Sequence, residues 1–272
     1  MRADLHIHSN YSDGSFSPEE IFSRAVGKGL GIISITDHDT VDHIQPSLEQ
    51  ADKTGVVYIP GVEFSASTVD RDVHLLGYAL DHLHHGLLEY LDLVRKRRVE
   101  RAHQILELLR RQDIVIPPGE LDSLPGRRII SRPLIAQLMI KYKYVGTLEE
   151  AFVRYLRPGT PAYVPYKLAD PGEVVGLITD CGGISVLAHP SAEEFETLAP
   201  GLCRAGLQGV EVFRPRLGES ESRLIADGAQ ARGLVLTGGS DWHFDTGALK
   251  LGDFFIEEER IRPFLELMER GR

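Results

Sequence analysis

Histidine and carboxylate recur along this 272-residue chain in short clusters: D-L-H-I-H at 4–8, S-D-G at 12–14, T-D-H-D at 36–39, G-V-E at 61–63, D-V-H at 72–74, A-H-P at 188–190 and S-D-W-H at 240–243. Neutral imidazole nitrogens and anionic, bridging carboxylate oxygens suit a cluster of Zn, Mn or Fe ions rather than an all-sulfur site. His6 and His8 are two apart, which on a strand turns both rings to one face. Asp13, in the loop S-D-G-S-F-S, by itself reads more readily as a turn residue than as a ligand. His38 follows an apolar run directly, and its neighbours Asp37 and Asp39 could hold non-ligating histidine nitrogens. Glu63 is expected at the end of its strand, a natural place for a bridging carboxylate. His74 opens the next strand. His189 precedes Pro190, whose ring restricts its backbone. Asp241 and His243 are again two apart, after Gly238-Gly239. Nine candidate ligands exceed the needs of one ion and could serve two or three divalent metals. Close-packed metals acidify a bound water and neutralise phosphate oxygens, so the chemistry best suited is phosphate-ester hydrolysis by in-line attack of a metal-bound hydroxide.

The elements that must position these residues alternate. Strands are expected at 2–8, 32–36, 56–60, 73–79, 184–188, 210–213, 234–237 and 253–257. Helices are expected at 18–28, 42–54, 171–181, 194–204, 219–231 and 260–270. Ser17-Pro18-Glu19-Glu20 is a helix start, with a capping serine, a proline fitted to the first turn and acids at the positive helix end. Strand–helix alternation predicts parallel pairing through right-handed crossovers. Polar residues at about seven strand ends favour a closed or nearly closed barrel, with the site at the C-terminal strand ends. The rhythm breaks in the middle. A long charged helix at 86–112, containing R-K-R-R-V-E-R, leads into helical stretches near 131–141 and 148–155. The resulting division is a barrel from 1–87 and 168–272, with a mainly helical insert at 88–167 covering the strand ends.

Composition narrows the reading. The formal charge of -10 argues against a broad nucleic-acid-coating surface, although bound divalent ions would add local positive charge. Cys181 and Cys203 form no C-x-x-C pair and read as free thiols, not as a structural zinc site or a disulfide scaffold. The opening M-R-A-D-L-H has no charged-then-apolar leader, and no run of about 18 apolar residues follows, so a soluble cytoplasmic protein without a membrane span is expected. No protein partner is signalled. His43 is expected at solvent or at a helix start. His82, His84 and His85 are expected on the surface, and His103 is given no role.

In their order, D-L-H-I-H-S-N-Y-S-D-G, I-T-D-H-D-T-V, P-G-V-E, L-A-H-P and G-G-S-D-W-H resemble the PHP (polymerase and histidinol phosphatase) family. The likeness is strongest to its stand-alone phosphoesterases with a helical insert. It implies a distorted (β/α)₇ barrel and three metal positions. The first would use His6, His8, Glu63 and Asp241. The second would share Glu63 and add His74 and His189, and the third would use Asp13, His38 and His243. Glu63 and Asp241 are the expected catalytic carboxylates. The family's insert motif matches Ser131-Arg132-Pro133-Leu134-Ile135-Ala136, which makes Arg132 a phosphate-binding candidate. Tyr163 and Lys167 lie in or near a second matching segment. A histidine common after the G-x-E-V strand is replaced here near Leu217, and Arg214 or Arg216 could compensate, since a guanidinium grips phosphate with two parallel hydrogen bonds. The resemblance implies action on a small phosphorylated substrate, a nucleotide or a short oligoribonucleotide end. Histidinol-phosphate phosphatase is the alternative. A non-catalytic module would be expected to have lost some of the nine ligands.

Overall fold

The computed structural model describes residues 1–117, 119–122, 130–165 and 168–270. From the N-terminus, β1 (Arg2–Ile7), α1 (Pro18–Lys28), β2 (Leu30–Ile35), α2 (Ile44–Thr54) and β3 (Val57–Tyr58) alternate as expected. The hairpin of β4 (Gly61–Ser67) and β5 (Asp72–Tyr78) follows. A helical stretch comes next, with α3 (His85–Arg110), α4 (Gly119–Asp122), α5 (Arg132–Lys141) and α6 (Leu148–Ala151), the last continuing into a π-helical turn over Phe152–Leu156. Alternation then resumes through α7 (Pro171–Asp180), β6 (Ile184–Leu187), α8 (Ala192–Ala205), β7 (Gly209–Phe213), α9 (Glu219–Ala231), β8 (Val235–Gly238), β9 (Ile256–Glu257) and α10 (Arg262–Arg270). Three starts are full capping boxes. Ser17, Asp170 and Ser191 accept first-turn N–H bonds, while Glu20, Glu173 and Glu194 accept from the cap's own N–H.

The strands form two mixed sheets, ordered β3-β2-β1-β9 and β4-β5-β6-β7-β8. Two isolated parallel bridges, Ile7 to Trp242 and His38 to Glu63, join their ends. The uniformly parallel arrangement expected from the alternation is corrected here: β5 runs antiparallel to both β4 and β6, and β9 antiparallel to β1. The cause is loop length. β4 and β5 are joined by a tight turn closed by Thr68 N–H to the Arg71 carbonyl at 2.9 Å, too short for a parallel crossover. Glu63 is likewise inside β4 rather than at the end of β3. The chain turns at Pro60 and restarts at Gly61, where a Cβ would lie 2.6 Å from Ser34 Oγ.

Large apolar side chains, among them Ile7, Ile33, Phe64, Leu75, Val210 and Trp242, fill the space between sheets and helices. Each one buried contributes about 1.5–3 kcal/mol. A separate apolar cluster, including Ala102, Ile105, Leu109, Ile135, Met139 and Leu156, holds the helical stretch together. The buried Arg98 of α3 ties that stretch to the strand ends through Asp39 and, at 2.7 Å, the Ser65 hydroxyl. Among the described residues no helix is long and apolar enough to cross a membrane.

Candidate metal centre

Period two on β1 carries three functional side chains. Asp4, His6 and His8 share a face, and all are buried. β8 ends close against this face. A Cβ on Gly239 would fall 2.3 Å from His6 Cβ, so only glycine lets the following Asp241 and His243 reach the histidines. His6 Nε2 lies 3.3 Å from Glu63 Oε2 and 3.4 Å from Asp241 Oδ1. For His8 Nε2 the corresponding distances are 3.1 and 3.2 Å. Glu63 also meets His38 Nδ1 at 3.1 Å through Oε2, and His74 Nδ1 at 2.8 Å and His189 Nε2 at 3.1 Å through Oε1. Asp13 Oδ1 faces His243 Nε2 at 3.3 Å, and its Oδ2 lies 3.9 Å from His38 Nε2.

The structure therefore brings all nine candidate ligands to one place, in overlapping groups. His6, His8, Glu63 and Asp241 form one. His8, Asp13, His38 and His243 form another, and His38, Glu63 and His74 a third. His38 thus faces Asp13 on one side and Glu63 on the other, while His189 joins through Glu63 Oε1 and through His74, whose Nδ1 is 3.2 Å from its Nε2.

The donor set fits divalent cations. Asp13 Oδ1, His38 Nδ1 and Glu63 Oε2 are buried without a hydrogen-bond partner, although the last two face each other. Buried polar atoms are normally satisfied, and imidazole nitrogens and carboxylate oxygens crowded into one buried place are a cation's environment. The electrostatics agree. Burial opposes protonation of His8, but hydrogen bonds and charges from Asp241 and Glu63 outweigh it and raise the ring to about 10. Burial alone would push the Glu63 carboxyl up, yet His38, His74 and His6 and the hydrogen bond from His189 hold it well below the carboxylate range. Burial keeps His38 low, at about 4.

Several supporting residues escaped the sequence reading. Glu211 on β7 accepts from His6 Nδ1 at 3.0 Å and from the His189 backbone N–H at 2.9 Å, fixing one ring's orientation and the other's position. Asp4 accepts from Ser240 N–H at 2.8 Å and anchors the segment leading to Asp241. These bonds hold His189 (φ 32°) and Asp241 (φ 51°) in left-handed backbone that costs a non-glycine residue about 1–2 kcal/mol. Asp4 was readable from the period-two pattern that exposed His6 and His8.

Asp37 and Asp39 serve differently from expectation. Asp37 binds Ser9 and Ser12, shaping the loop that carries Asp13, and Asp39 binds Arg98. His43 stands at a helix start, as the residue capping α2, but not at solvent. It is fully buried, with Nε2 3.0 Å and 3.1 Å from the Ile35 and Gly61 carbonyls and Nδ1 3.3 Å from Asp37.

Three cavities border the donors. One is lined by Asp72, His74, Arg132, His189 and Glu194. A second is lined by Asp13, His38, His74, Arg98, Arg101 and Arg132, with Tyr163 near Arg132 at 6.0 Å from guanidinium carbon to ring centre. Arg132 also pairs with Asp72 at 3.1 Å. Burial, then the charges of Arg132 and Arg98, lower Arg101 to about 10, a mark of crowded cations. A third is lined by His189, Arg214, Arg216, Asp241 and His243. Lys167 lies outside the described residues.

An α/β fold with a buried histidine and carboxylate cluster at its strand ends is the scaffold of a metal-dependent hydrolase. The PHP domain model matches residues 4–115. The chain is 31% identical, over 88% of its length and 86% of the relative's, to a 3',5'-nucleoside bisphosphate phosphatase of Chromobacterium violaceum. It is 30% identical, over 92% of its length and 87% of the relative's, to the 5'-3' exoribonuclease Rnm of Escherichia coli K12. A structure of an amidohydrolase from Chromobacterium violaceum, with bound sulfate and no metal, superposes with a TM-score of 0.88 at 29% identity, covering 100% of this chain and 97% of that one. This chain belongs to the PHP domain family.

Proposed function

We propose that this protein is a metal-dependent phosphoesterase that hydrolyses a phosphate ester on a nucleotide or a short oligoribonucleotide end. The observation that carries the reading is the convergence of buried donors, Asp13 Oδ1, His38 Nδ1 and Glu63 Oε2 among them, beside a cavity lined by Arg98, Arg101 and Arg132. Cation-binding donors next to crowded guanidiniums fit a phosphate held from both sides. The names of the two curated relatives, a nucleotide phosphatase and an exoribonuclease, support the nucleotide class. Residues 1–87 and 168–272 would form the catalytic body, read as a distorted (β/α)₇ barrel, with 88–167 as an insert over the site. The two isolated bridges between the sheets and the insert's own apolar cluster support that division.

Two or three Mn, Fe or Zn ions, held by His6, His8, Asp13, His38, Glu63, His74, His189, Asp241 and His243, would supply an acidified water and neutralise phosphate charge. Glu63 presents both oxygens to histidines and would hold ions with both. Asp241 turns Oδ1 toward His6 and His8 and keeps its side chain 43% exposed, and its other oxygen would orient the attacking water and receive its proton. Arg132, with Tyr163 beside it, would grip a phosphate from the insert side, and Arg214 from the other. Lys167 stays in the same proposed role on sequence grounds.

The test is phosphate and nucleoside release with Mn²⁺ from nucleoside 3',5'-bisphosphates, mononucleotides, short 5'-phosphorylated RNAs and histidinol phosphate. Preference for the nucleotides or RNA ends supports the reading. Preference for histidinol phosphate moves the protein to the alternative branch. Inactivity on every compound with metals bound sinks it.

A further inference from the structure

α3 carries one charge in an otherwise apolar seam. Its buried residues are Leu87, Leu91, Val94, Arg98, Ala102, Ile105 and Leu109, spaced by three or four so that they share one face of the helix. Leu87 and Leu91 belong to the core between sheets and helices, whereas Ala102, Ile105 and Leu109 belong to the separate cluster of the helical stretch. Arg98 stands at the crossing from one core to the other. Its side chain is only 10% exposed, and a guanidinium buried among aliphatic positions is tolerated only with a specific partner.

That partner is the buried Asp39. Arg98 Nε donates to Asp39 Oδ2 at 3.0 Å, and Arg98 Nη2 donates to the same oxygen and, at 2.7 Å, to the Ser65 hydroxyl. The other Asp39 oxygen accepts from the Ser65 N–H at 2.8 Å, and the Asp39 N–H donates to the Glu63 carbonyl at 2.9 Å. One aspartate thereby pins the 36–39 loop to β4, and both to α3. It does so in left-handed backbone, φ 47°, which a non-glycine residue keeps only where its surroundings impose it. Asp39 follows His38 directly. The His38 ring turns Nδ1 to Glu63 and Nε2 to Asp13, so both nitrogens face fellow donors. His6, by contrast, keeps Nδ1 for the supporting Glu211. His38 is therefore placed through its backbone, which the bridge to Glu63 and the bonds of Asp39 fix.

We infer that Arg98 is a positioning residue that couples the seating of the helical stretch to metal binding at His38. The inference rests on the metal-centre reading and is independent of which phosphate ester is the substrate. Through Asp39, the Arg98 guanidinium holds His38 and β4 in register and holds α3 against the strand ends. One set of contacts serves both tasks, so the coupling is reciprocal. Ions at His38 tighten α3 and the helices packed on it, and loosening of α3 weakens the ions.

The experiment measures Mn²⁺ affinity by titration calorimetry, and amide hydrogen exchange in α5 and in residues 102–110 of α3 with and without Mn²⁺. Wild type, Arg98→Met, Arg98→Lys and Arg98→Met/Asp39→Asn are compared, with melting temperature recorded for each. In the wild type Mn²⁺ should slow exchange in both segments by about fivefold or more. Arg98→Met continues the apolar seam and leaves Asp39 unpaired. Its most weakly held ion should bind about tenfold or more loosely, and the slowing by Mn²⁺ should vanish. Arg98→Lys keeps a charge at Asp39 and should recover part of the affinity. The double variant removes both charges, so it reports even where Arg98→Met folds poorly. It should regain melting temperature without regaining the affinity or the exchange response. Wild-type affinity and exchange response in Arg98→Met or in the double variant overturns the inference and leaves Arg98 a structural clamp. Exchange in the wild type that is indifferent to bound Mn²⁺ overturns it equally. A wild type that binds no divalent metal overturns the metal-centre reading and the inference together. A wild type that shows the exchange response but hydrolyses no phosphate ester sinks the phosphoesterase reading and still supports the inference.

Discussion

The donor cluster and the arginine perimeter of this site are built on opposite principles. His6, His8 and Glu63 are almost wholly buried, and each touches several other donors. Arg132, Arg214 and Arg216 are half-buried or exposed; Arg132 pairs with Asp72, and Arg214 donates to the Pro190 carbonyl. A donor in the cluster cannot move without stranding its neighbours in a medium where unpaired charge is costly. An arginine on the rim can swing, exchange a carboxylate for a phosphate, and lose little when no ligand is present. The centre is therefore suited to chemistry common to many phosphate esters, and the rim to choosing among them.

That contrast breaks most visibly at Glu63, which meets five histidines. Glu63→Gln keeps the shape and removes the charge. It is expected to lower kcat by about 1,000-fold or more, since one bridging carboxylate supports more than one ion. Metal analysis should find fewer bound ions per chain than in the wild type. Full occupancy with near-normal turnover would mean that the cluster is not a cooperative unit. A step outward, Glu211→Gln leaves every donor in place and weakens the orientation of His6 and the anchoring of His189. A loss of about 10–100-fold in metal affinity or turnover is the scale for such a support. Competition with a chelator measures it, and a change below twofold would remove Glu211 from the machinery.

What the sequence made legible follows the same division. Donors on strands could be read because spacing of two fixes a shared face, as for His6 and His8. Donors at strand ends, such as His38 and Asp241, could be read because alternation with helices locates the ends. The capping serine at Ser17 gave the start of the first helix to the residue. The antiparallel β4–β5 hairpin was not legible, because a four-residue turn of Thr68 to Arg71 carries no strong turn signature. His43 was placed at a helix start, but its burial was not legible, because it depends on Ile35, Gly61 and Asp37 converging from distant elements. Arg98 and Asp39 are 59 residues apart and sit in motifs that separately look like a charged helix and a loop.

Proton linkage tests the buried side at intermediate size. In the metal-free protein His8 is raised from 6.5 to about 10 by Asp241 and Glu63, against the effect of burial. A raised histidine stabilises the fold fully below pH ~6.5 and loses that stabilisation as pH climbs toward about 10. Metal ions need the unprotonated ring, so their affinity should change with the opposite sign and rise over this window. The melting temperature of chelator-treated protein should therefore fall from pH 6.5 to 9, while the increment given by added Mn²⁺ grows. Titration calorimetry in buffers of different ionisation enthalpy should detect proton release on binding. An increment independent of pH would place the bound ions away from His8.

The smallest effect belongs to the rim, at Asp72. Its carboxylate is 54% exposed and lies 3.1 Å from Arg132, the guanidinium proposed to receive phosphate. An exposed pair of this kind is worth about 0.5–1 kcal/mol, so a phosphate must displace a weak competitor before Arg132 can grip it. Asp72→Asn removes the competing charge and keeps the side chain's size. The expected result is a KM lower by about two- to fivefold with little change in kcat, because the ground state and the transition state gain the same contact. The gain should shrink as salt screens the pair in the wild type. A higher KM would mean that Asp72 orients Arg132 for phosphate rather than competing with it. The rim would then be preorganised, and its difference from the buried centre would be one of exposure rather than of mobility.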